Sequence, residues 1–393
     1  MYGTLTSVAM DVNGKLLDER RFPVPNVRIY ISYGNSAITD KNGEFKVTTD
    51  KNSYDLTILD TTSNTGVVYR NLSSQNPELT FFGSASSRYI NTEIVKVEFT
   101  PVPGGRSAII KFISDKIFYS QDVSASSGEK VKLITVDFPS YTSSINGRII
   151  YIEKTSSSYE RYSERSVTIN KDSYPQSVYF DSLSYFKNPG SSYVTVFLPS
   201  AEYQKKGFSV YADFLSLHIN AELLLNTTEG DIISTKVLVP GTLPFGYRLK
   251  ITGTGTYKGG SYFENYFYSY PGSSYNITNE TPCQLDSPQD KSWGVGKNTR
   301  FAFDWGSGTG IYVLHFHAFD PVGDLYLVTT DRDVQSPLGY SAGVLKGDEY
   351  SWSVSKYTTY LSVDDFVKVK NFSNDIGYKS ISTSELRTFR TKF

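Results

Sequence analysis

Residues 27 to 47 read Val27-Arg28-Ile29-Tyr30-Ile31-Ser32-Tyr33-Gly34-Asn35-Ser36-Ala37-Ile38-Thr39-Asp40-Lys41-Asn42-Gly43-Glu44-Phe45-Lys46-Val47. Val27, Ile29 and Ile31 alternate with Arg28, Tyr30 and Ser32, the period of a half-buried strand. Asp40 to Gly43 carry the residues of a tight turn, after which Phe45 and Val47 return to the apolar face. The rest of the composition agrees with β-structure. Aromatic residues make up 15% of the chain, mostly Tyr and Phe. Ser, Thr and Val are abundant, while Leu, Ala and Glu are too scarce for long helices. A chain of 393 residues suits three or four domains of about 100 residues each.

The formal charge is -1, and no stretch concentrates Lys and Arg on one face, which excludes the electrostatic footprint of a nucleic-acid binder. Cys283 is the one cysteine. An intrachain disulfide framework and a cysteine-based zinc site are thereby excluded. No apolar run is long enough for a signal sequence or a membrane helix. Five Asn-x-Ser/Thr matches, Asn371-Phe372-Ser373 among them, occur near chance frequency in a chain rich in these residues and carry no weight.

Three ordered motifs point to a family: Gly14-Lys15-Leu16-Leu17-Asp18, Pro23-Val24-Pro25-Asn26-Val27-Arg28-Ile29 and Thr39-Asp40-Lys41-Asn42-Gly43-Glu44-Phe45. Together they resemble the carboxypeptidase regulatory-like domain, a transthyretin-like β-sandwich common at the N-termini of bacterial surface proteins. Met1-Tyr2-Gly3-Thr4 resembles the mature N-terminus of Bacteroidetes lipoproteins, in which Tyr-Gly-Thr follows a lipidated cysteine. The resemblance implies an outer-membrane or cell-surface location, reached through a lipid that this chain does not carry.

The punctuation of the sequence divides it at 1–100, 101–188, 189–281 and 282–393. The breaks are Pro101-Val102-Pro103-Gly104-Gly105, Asn188-Pro189-Gly190-Ser191-Ser192 and the approach to Cys283. The soft stretch Gly83-Ser84-Ala85-Ser86-Ser87 precedes the strand expected to complete the first domain. Short strands separated by Ser, Gly and Asn turns point to a second sandwich. Within it Thr155 to Ser163 is polar and Tyr-bearing, the pattern of a long hairpin or a loop. The two middle segments match no recognised family, and a single larger β-unit stays open. In the last segment Phe301, Phe303 and Trp305 alternate along one strand, Tyr312, Leu314 and Phe316 along the next, and Tyr350, Trp352 and Val354 along a later one. Leu345-Lys346-Gly347-Asp348-Glu349-Tyr350 looks like the tyrosine-corner approach of an immunoglobulin-like sandwich. With Thr388-Phe389-Arg390-Thr391 as final strand, the segment resembles a fibronectin type III domain. It departs from that pattern between Tyr357 and Ser384, which predicts an enlarged loop. The fold expected is all-β, tandem antiparallel β-sandwich domains, transthyretin-like first and immunoglobulin/fibronectin III-like last.

Few residues suggest chemistry. His315 and His317 stand two apart on one strand and share a face, so they could bind zinc. A third ligand is needed, and no spaced signature recruits Asp320 or Asp324, so they read as solvent-facing residues. Asp331-Arg332-Asp333 and Asp364-Asp365 carry oxygens suited to calcium but form no organised calcium loop. Gly253-Thr254-Gly255 lacks the following helix of a phosphate loop. Cys283 has no histidine nearby and reads as a structural thiol. The sequence therefore assigns no catalytic residue, no metal and no cofactor. Tyr257, Tyr262, Phe263, Tyr266, Phe267, Tyr268, Tyr270 and Tyr275 cluster in a Gly- and Ser-rich segment. Either they form a hairpin with one aromatic face in the core, or exposed rings stack on sugars or anchor a protein. The ligand residues expected in the second case are Tyr262, Tyr266, Tyr268 and Tyr270. The function expected is noncatalytic adhesion, assembly or ligand binding, with a surface protein or glycan as partner and no nucleic acid. Two alternatives stay open, a surface polysaccharide hydrolase and a virion or filament subunit.

Overall fold

A computed structural model describes residues 9–19, 22–31, 34–83, 90–114, 117, 119–172, 176–181, 188–198, 203–214, 222–230, 233–243, 247–257, 259–277, 281–306, 310–337, 344–358, 360–368 and 379–391. The Met1-Tyr2-Gly3-Thr4 motif, Ser84 to Ser87 and Asn371-Phe372-Ser373 lie outside them. The described residues form an all-β protein with one short helix, Val363–Phe366.

In the first sandwich, Val27, Ile29, Ile31, Phe45 and Val47 enter one core with Val12, Leu16 and Leu79, as their alternation dictates. The turn between them is held by Asp40, whose Oδ1 accepts from the backbone N–H groups of Asn42 and Glu44, both at 2.8 Å. Gly43 sits there at φ +74°, and a Cβ on it would fall 2.3 Å from the Leu16 carbonyl oxygen. Only glycine meets both conditions.

One sheet of this sandwich orders Glu44–Thr49, Met10–Asp18 and Glu78–Phe81; the facing one orders Asn35–Ile38, Arg28–Ile31, Tyr54–Asp60 and Thr65–Leu72. Counted from the unit's own first strand, the order is 4-1-7 on 3-2-5-6. The same order recurs twice. In the second unit Val131–Pro139, Ile90–Phe99 and Gln176–Phe180, with a short extra edge strand Tyr119–Ser120 beside Val131–Pro139, face Val123–Ala125, Ser107–Ile113, Ser144–Lys154 and Tyr159–Asn170. Ile90–Phe99, expected to complete the first sandwich, instead opens this one because both of its partners lie here. In the third, Ser234–Pro240, Ser191–Phe197 and Ser274–Asn276 face Glu222–Glu229, Tyr203–Phe214, Tyr247–Tyr257 and Tyr262–Ser269. Within each unit the first and last strands pair in parallel. Strands that alternate up and down leave the first and seventh pointing the same way, so the closing pair must be parallel while the others are antiparallel.

The last sandwich sets Leu285–Ser287, Arg300–Phe303 and Asp333–Gln335 against Val322–Thr329, Gly310–Phe319, Glu349–Thr358 and Arg387–Arg390. This is the ABE on C′CFG order of immunoglobulin-like sandwiches. Trp352 fills its centre with Phe301, Phe316 and Phe389. Tyr350 turns back and its hydroxyl donates to the Gly347 carbonyl at 2.7 Å.

The units are not strung as separate beads. Thr65–Leu72 of the first runs parallel to Val322–Thr329 of the last, in register from Asp324 beside Thr65 to Val328 beside Tyr69. The segment expected as an enlarged loop supplies the other joint. Its strand Lys379–Thr383 pairs with Tyr262–Ser269 on one side and Glu349–Thr358 on the other. The result is one sheet of 13 strands shared by three sandwiches. The helix Val363–Phe366 in the same segment docks on the first unit, where Val363, Phe366 and Val367 enter the core. There Asp364 Oδ1 accepts from the N–H groups of Ser73 and Ser74 at 2.8 and 2.9 Å.

The second and third units meet face to face. Ile109, Ile150, Ile152, Tyr159 and Tyr162 of the second belong to the core of the third. The run Ile149-Ile150-Tyr151-Ile152 has the near-continuous apolar character of a strand covered on both faces.

Candidate functional site

Along Tyr262–Ser269, Phe263 and Phe267 turn into the third core, and Tyr262, Glu264, Tyr266 and Tyr268 take the opposite face. Register decides their neighbours. Tyr268 lies beside Lys250, Lys250 beside Tyr211, Arg248 beside Asp213, and Asp213 beside Glu222. Four strands thus place tyrosines and two ion pairs on one outer face. Arg248 Nε donates to Asp213 Oδ2 at 2.6 Å, and Lys250 Nζ reaches the two Glu222 oxygens at 2.8 and 3.1 Å. The Arg248 guanidinium sits 3.7 Å from the Tyr268 ring centre, and Lys250 Nζ sits 5.1 Å from that of Tyr266.

Burial pushes the Asp213 carboxyl up, with Arg248 working against it. Burial would lower Lys250, but Glu222 overrules it and the ammonium is held above its ordinary range. Burial also raises Tyr266 and Tyr268, Glu264 adding to the rise at Tyr266. Both hydroxyls remain protonated donors at neutral pH. Arg248, 6% exposed, and Lys250 cover one side of the Tyr268 and Tyr266 rings. What the arrangement offers is the remaining half-buried ring surface beside fixed charged groups, chemistry suited to a polyhydroxylated or peptide ligand.

The structure brings Tyr266 and Tyr268 together over the charged pairs. Tyr262, 44% exposed, stands at the far end of the strand, roughly 20 Å from Tyr268 at ordinary strand rise. Tyr270, 54% exposed, lies past the strand in a turn where Ser273 Oγ donates to its carbonyl. Sequence reasoning missed Tyr211, Asp213, Glu222, Arg248 and Lys250. Their signal is weak: polar residues alternating with core positions such as Leu223 and Leu225, or Leu249 and Ile251.

A second cluster lies on the last sandwich. Strands Gly310–Phe319 and Val322–Thr329 form a tight hairpin in which Asp324 stands directly opposite His317. His315 Nε2 and His317 Nδ1 approach the same oxygen, Asp324 Oδ1, at 2.7 and 2.9 Å. His315 stacks on Tyr326 with ring centres 4.3 Å apart, and His317 meets Phe319 edge-on at 5.1 Å. Burial pushes the Asp324 carboxyl up, but hydrogen bonds and charge from both histidines overrule this and hold it below its ordinary value. The third group that the histidine spacing lacked was readable from the Asp320-Pro321 turn, which fixes the register.

The other sequence candidates are engaged elsewhere. Asp333 pairs with Arg300 at 2.7 Å, Asp364 caps Ser73 and Ser74, and Asp365 meets Lys368 at 3.1 Å. Gly253 lies within a strand, where a Cβ would strike Ile277 at 2.5 Å. Cys283 is buried and its thiol is pushed up to about 12, chiefly by burial. It is therefore a thiol rather than a nucleophilic thiolate. At pH 8 the folded protein is expected to leave Cys283 unreacted with a disulfide reagent such as DTNB, with one equivalent released on denaturation. Rapid reaction of the folded chain would contradict this.

The strand orders define a protein of tandem β-sandwiches, three that share one order and a fourth with the immunoglobulin-like order. No protein-family model and no curated protein matches the chain. Among solved structures it is similar in part to a DUF4876 family protein from Bacteroides thetaiotaomicron, at 18% identity and TM-score 0.16, over 33% of this chain and 36% of that one. The chain thus spans about a third of that protein's length. A putative adhesin from Bacteroides ovatus matches at 7% identity and TM-score 0.18, over 51% of this chain and 95% of that one. BcpA, the major pilin subunit of Bacillus cereus, matches at 8% and 0.17, over 69% and 99%.

Proposed function

We propose that the protein is a noncatalytic bacterial surface protein whose joined sandwiches present an adhesive or ligand-binding face, held at the outer membrane by a lipid on an upstream cysteine. The observation that carries this reading is the outer face built by Tyr211, Tyr266 and Tyr268 with the Asp213–Arg248 and Glu222–Lys250 pairs. Rings and charges there are set by hydrogen-bonded strands, so binding needs little ordering of the site. Glycan is the ligand class that uses both features, and a surface protein is the second. The first unit, by its resemblance, is the spacer nearest the membrane.

A hydrolase would need two carboxylates free to act in a cleft between the second and third units. The groove there, about 430 Å³, is lined by Arg106, Lys154, Tyr159 and Asn226. Near it Arg106 meets both Glu153 and Glu160, at 3.2 and 3.5 Å, and the Tyr151 hydroxyl donates to Glu153 at 2.9 Å. Carboxylates so neutralised support the noncatalytic reading.

The test is a glycan array and a cell-binding assay with the parent chain and the Tyr266→Ala/Tyr268→Ala variant. A stacking ring contributes on the order of 1 kcal/mol, so the double change is expected to weaken binding by at least tenfold. Binding unchanged in the variant, or release of reducing ends from a bound polysaccharide, would sink the reading.

A further inference from the structure

We propose that His315, His317 and Asp324 form a site for a divalent transition-metal ion of the zinc class, with its remaining positions open to solvent. This inference is independent of the ligand face. The donor atoms, Nε2, Nδ1 and a carboxylate oxygen, all lie within 4.8 Å of one another. Three features make them a site rather than a surface coincidence. Both imidazoles come from one strand face, and the carboxylate comes from the position directly opposite. The rings are fixed, His315 by Tyr326 and His317 by Phe319. All three side chains keep about a third or less of their surface, at 33, 31 and 26%, so they are supported from behind yet reachable.

The geometry suits the ion. Zinc binds imidazole nitrogen at about 2.0–2.1 Å and carboxylate oxygen at about 2.0–2.2 Å, which sets its ligand atoms roughly 3.3 Å apart. The contacts of 2.7 and 2.9 Å need open by only about half an ångström, and the two imidazole nitrogens, within 4.8 Å of each other, need close toward the same spacing by small side-chain rotations. Each ring nitrogen then offers its lone pair once its proton resides on the other nitrogen of the same ring. Two imidazoles with one carboxylate select a borderline ion over calcium or magnesium, which want oxygen shells. The bound ion cross-links the hairpin whose second strand carries the joint to Thr65–Leu72. It therefore stiffens the junction between the first and last sandwiches.

The experiment uses the full chain stripped with EDTA and titrated with zinc chloride by calorimetry, and with cobalt(II) chloride by visible absorption. One equivalent of each is expected to bind, with a cobalt band in the visible range and a rise in Tm that saturates at one equivalent. His317→Gln and, separately, Asp324→Asn are expected to remove the saturable step while leaving the Tm in EDTA close to the parent's. His218→Gln, which removes the remaining histidine, is expected to leave the step intact. No saturable step in the parent, an equally tight step in both site variants, or loss of the step in His218→Gln would each overturn the proposal.

Discussion

Trp352→Ala is expected to destabilise the protein by about 3–5 kcal/mol, the range for deleting a large aromatic from a packed core. Trp352 is fully buried, edge-on to Phe301 at 4.9 Å and stacked over Phe316 at 6.3 Å. Its indole N–H has no hydrogen-bond partner among the described residues. The loss is therefore one of packing alone, and Trp352→Phe should cost far less. The effect should spread, because Glu349–Thr358 pairs with Gly310–Phe319, Lys379–Thr383 and Arg387–Arg390. Urea unfolding followed by circular dichroism checks both points. The alanine variant should lose its β-signal at a markedly lower midpoint, and a midpoint equal to the parent's would contradict the assignment of this core.

Gly347→Val should be comparably damaging, at roughly 2–6 kcal/mol, for two independent reasons. Gly347 has φ +102°, a conformation that costs a β-branched residue about 1–3 kcal/mol. Its Cβ would also fall 2.1 Å from the Asp320 carbonyl oxygen, a backbone atom that cannot rotate aside. Overpacking of that kind adds about 1–3 kcal/mol. Relief would require moving the Asp320-Pro321 turn or breaking the bond from Tyr350 to Gly347. Gly104→Ala is the control, since a Cβ there meets nothing within 4 Å. The valine variant should unfold at clearly lower urea and the alanine control at the parent's midpoint; equal midpoints for all three would refute the argument.

What could be read in the sequence was local. Val27, Ile29 and Ile31 announce a strand because burial at period two is written into adjacent residues, and Asp40 to Gly43 announce a turn because its hydrogen bonds close within five residues. Pairings between distant segments leave no such mark. Thr155 to Ser163 reads as polar, yet Tyr159 and Tyr162 in it are each 1% exposed, because the surface that covers them belongs to the third unit. The stretch between Tyr357 and Ser384 reads as a loop because its strand partners lie elsewhere, one of them more than a hundred residues upstream. The candidate site divides the same way. Tyr266 and Tyr268 are visible as a local cluster, while the Arg248 and Lys250 that sit over them become neighbours only through register.

The joint between Thr65–Leu72 and Val322–Thr329 sets a clock on the birth of the protein. Synthesised from its N-terminus, the chain makes its opening sandwich roughly 250 residues before the strand that covers its flank, a delay on the order of 12 to 50 s at ordinary elongation rates. Through that interval the ribbon of Val67, Val68 and Tyr69, buried in the finished molecule, is an open template for any passing strand. Whatever machinery handles the nascent chain must shield that flank or hold it unfolded. The sandwich made first waits longest for the strand that covers it.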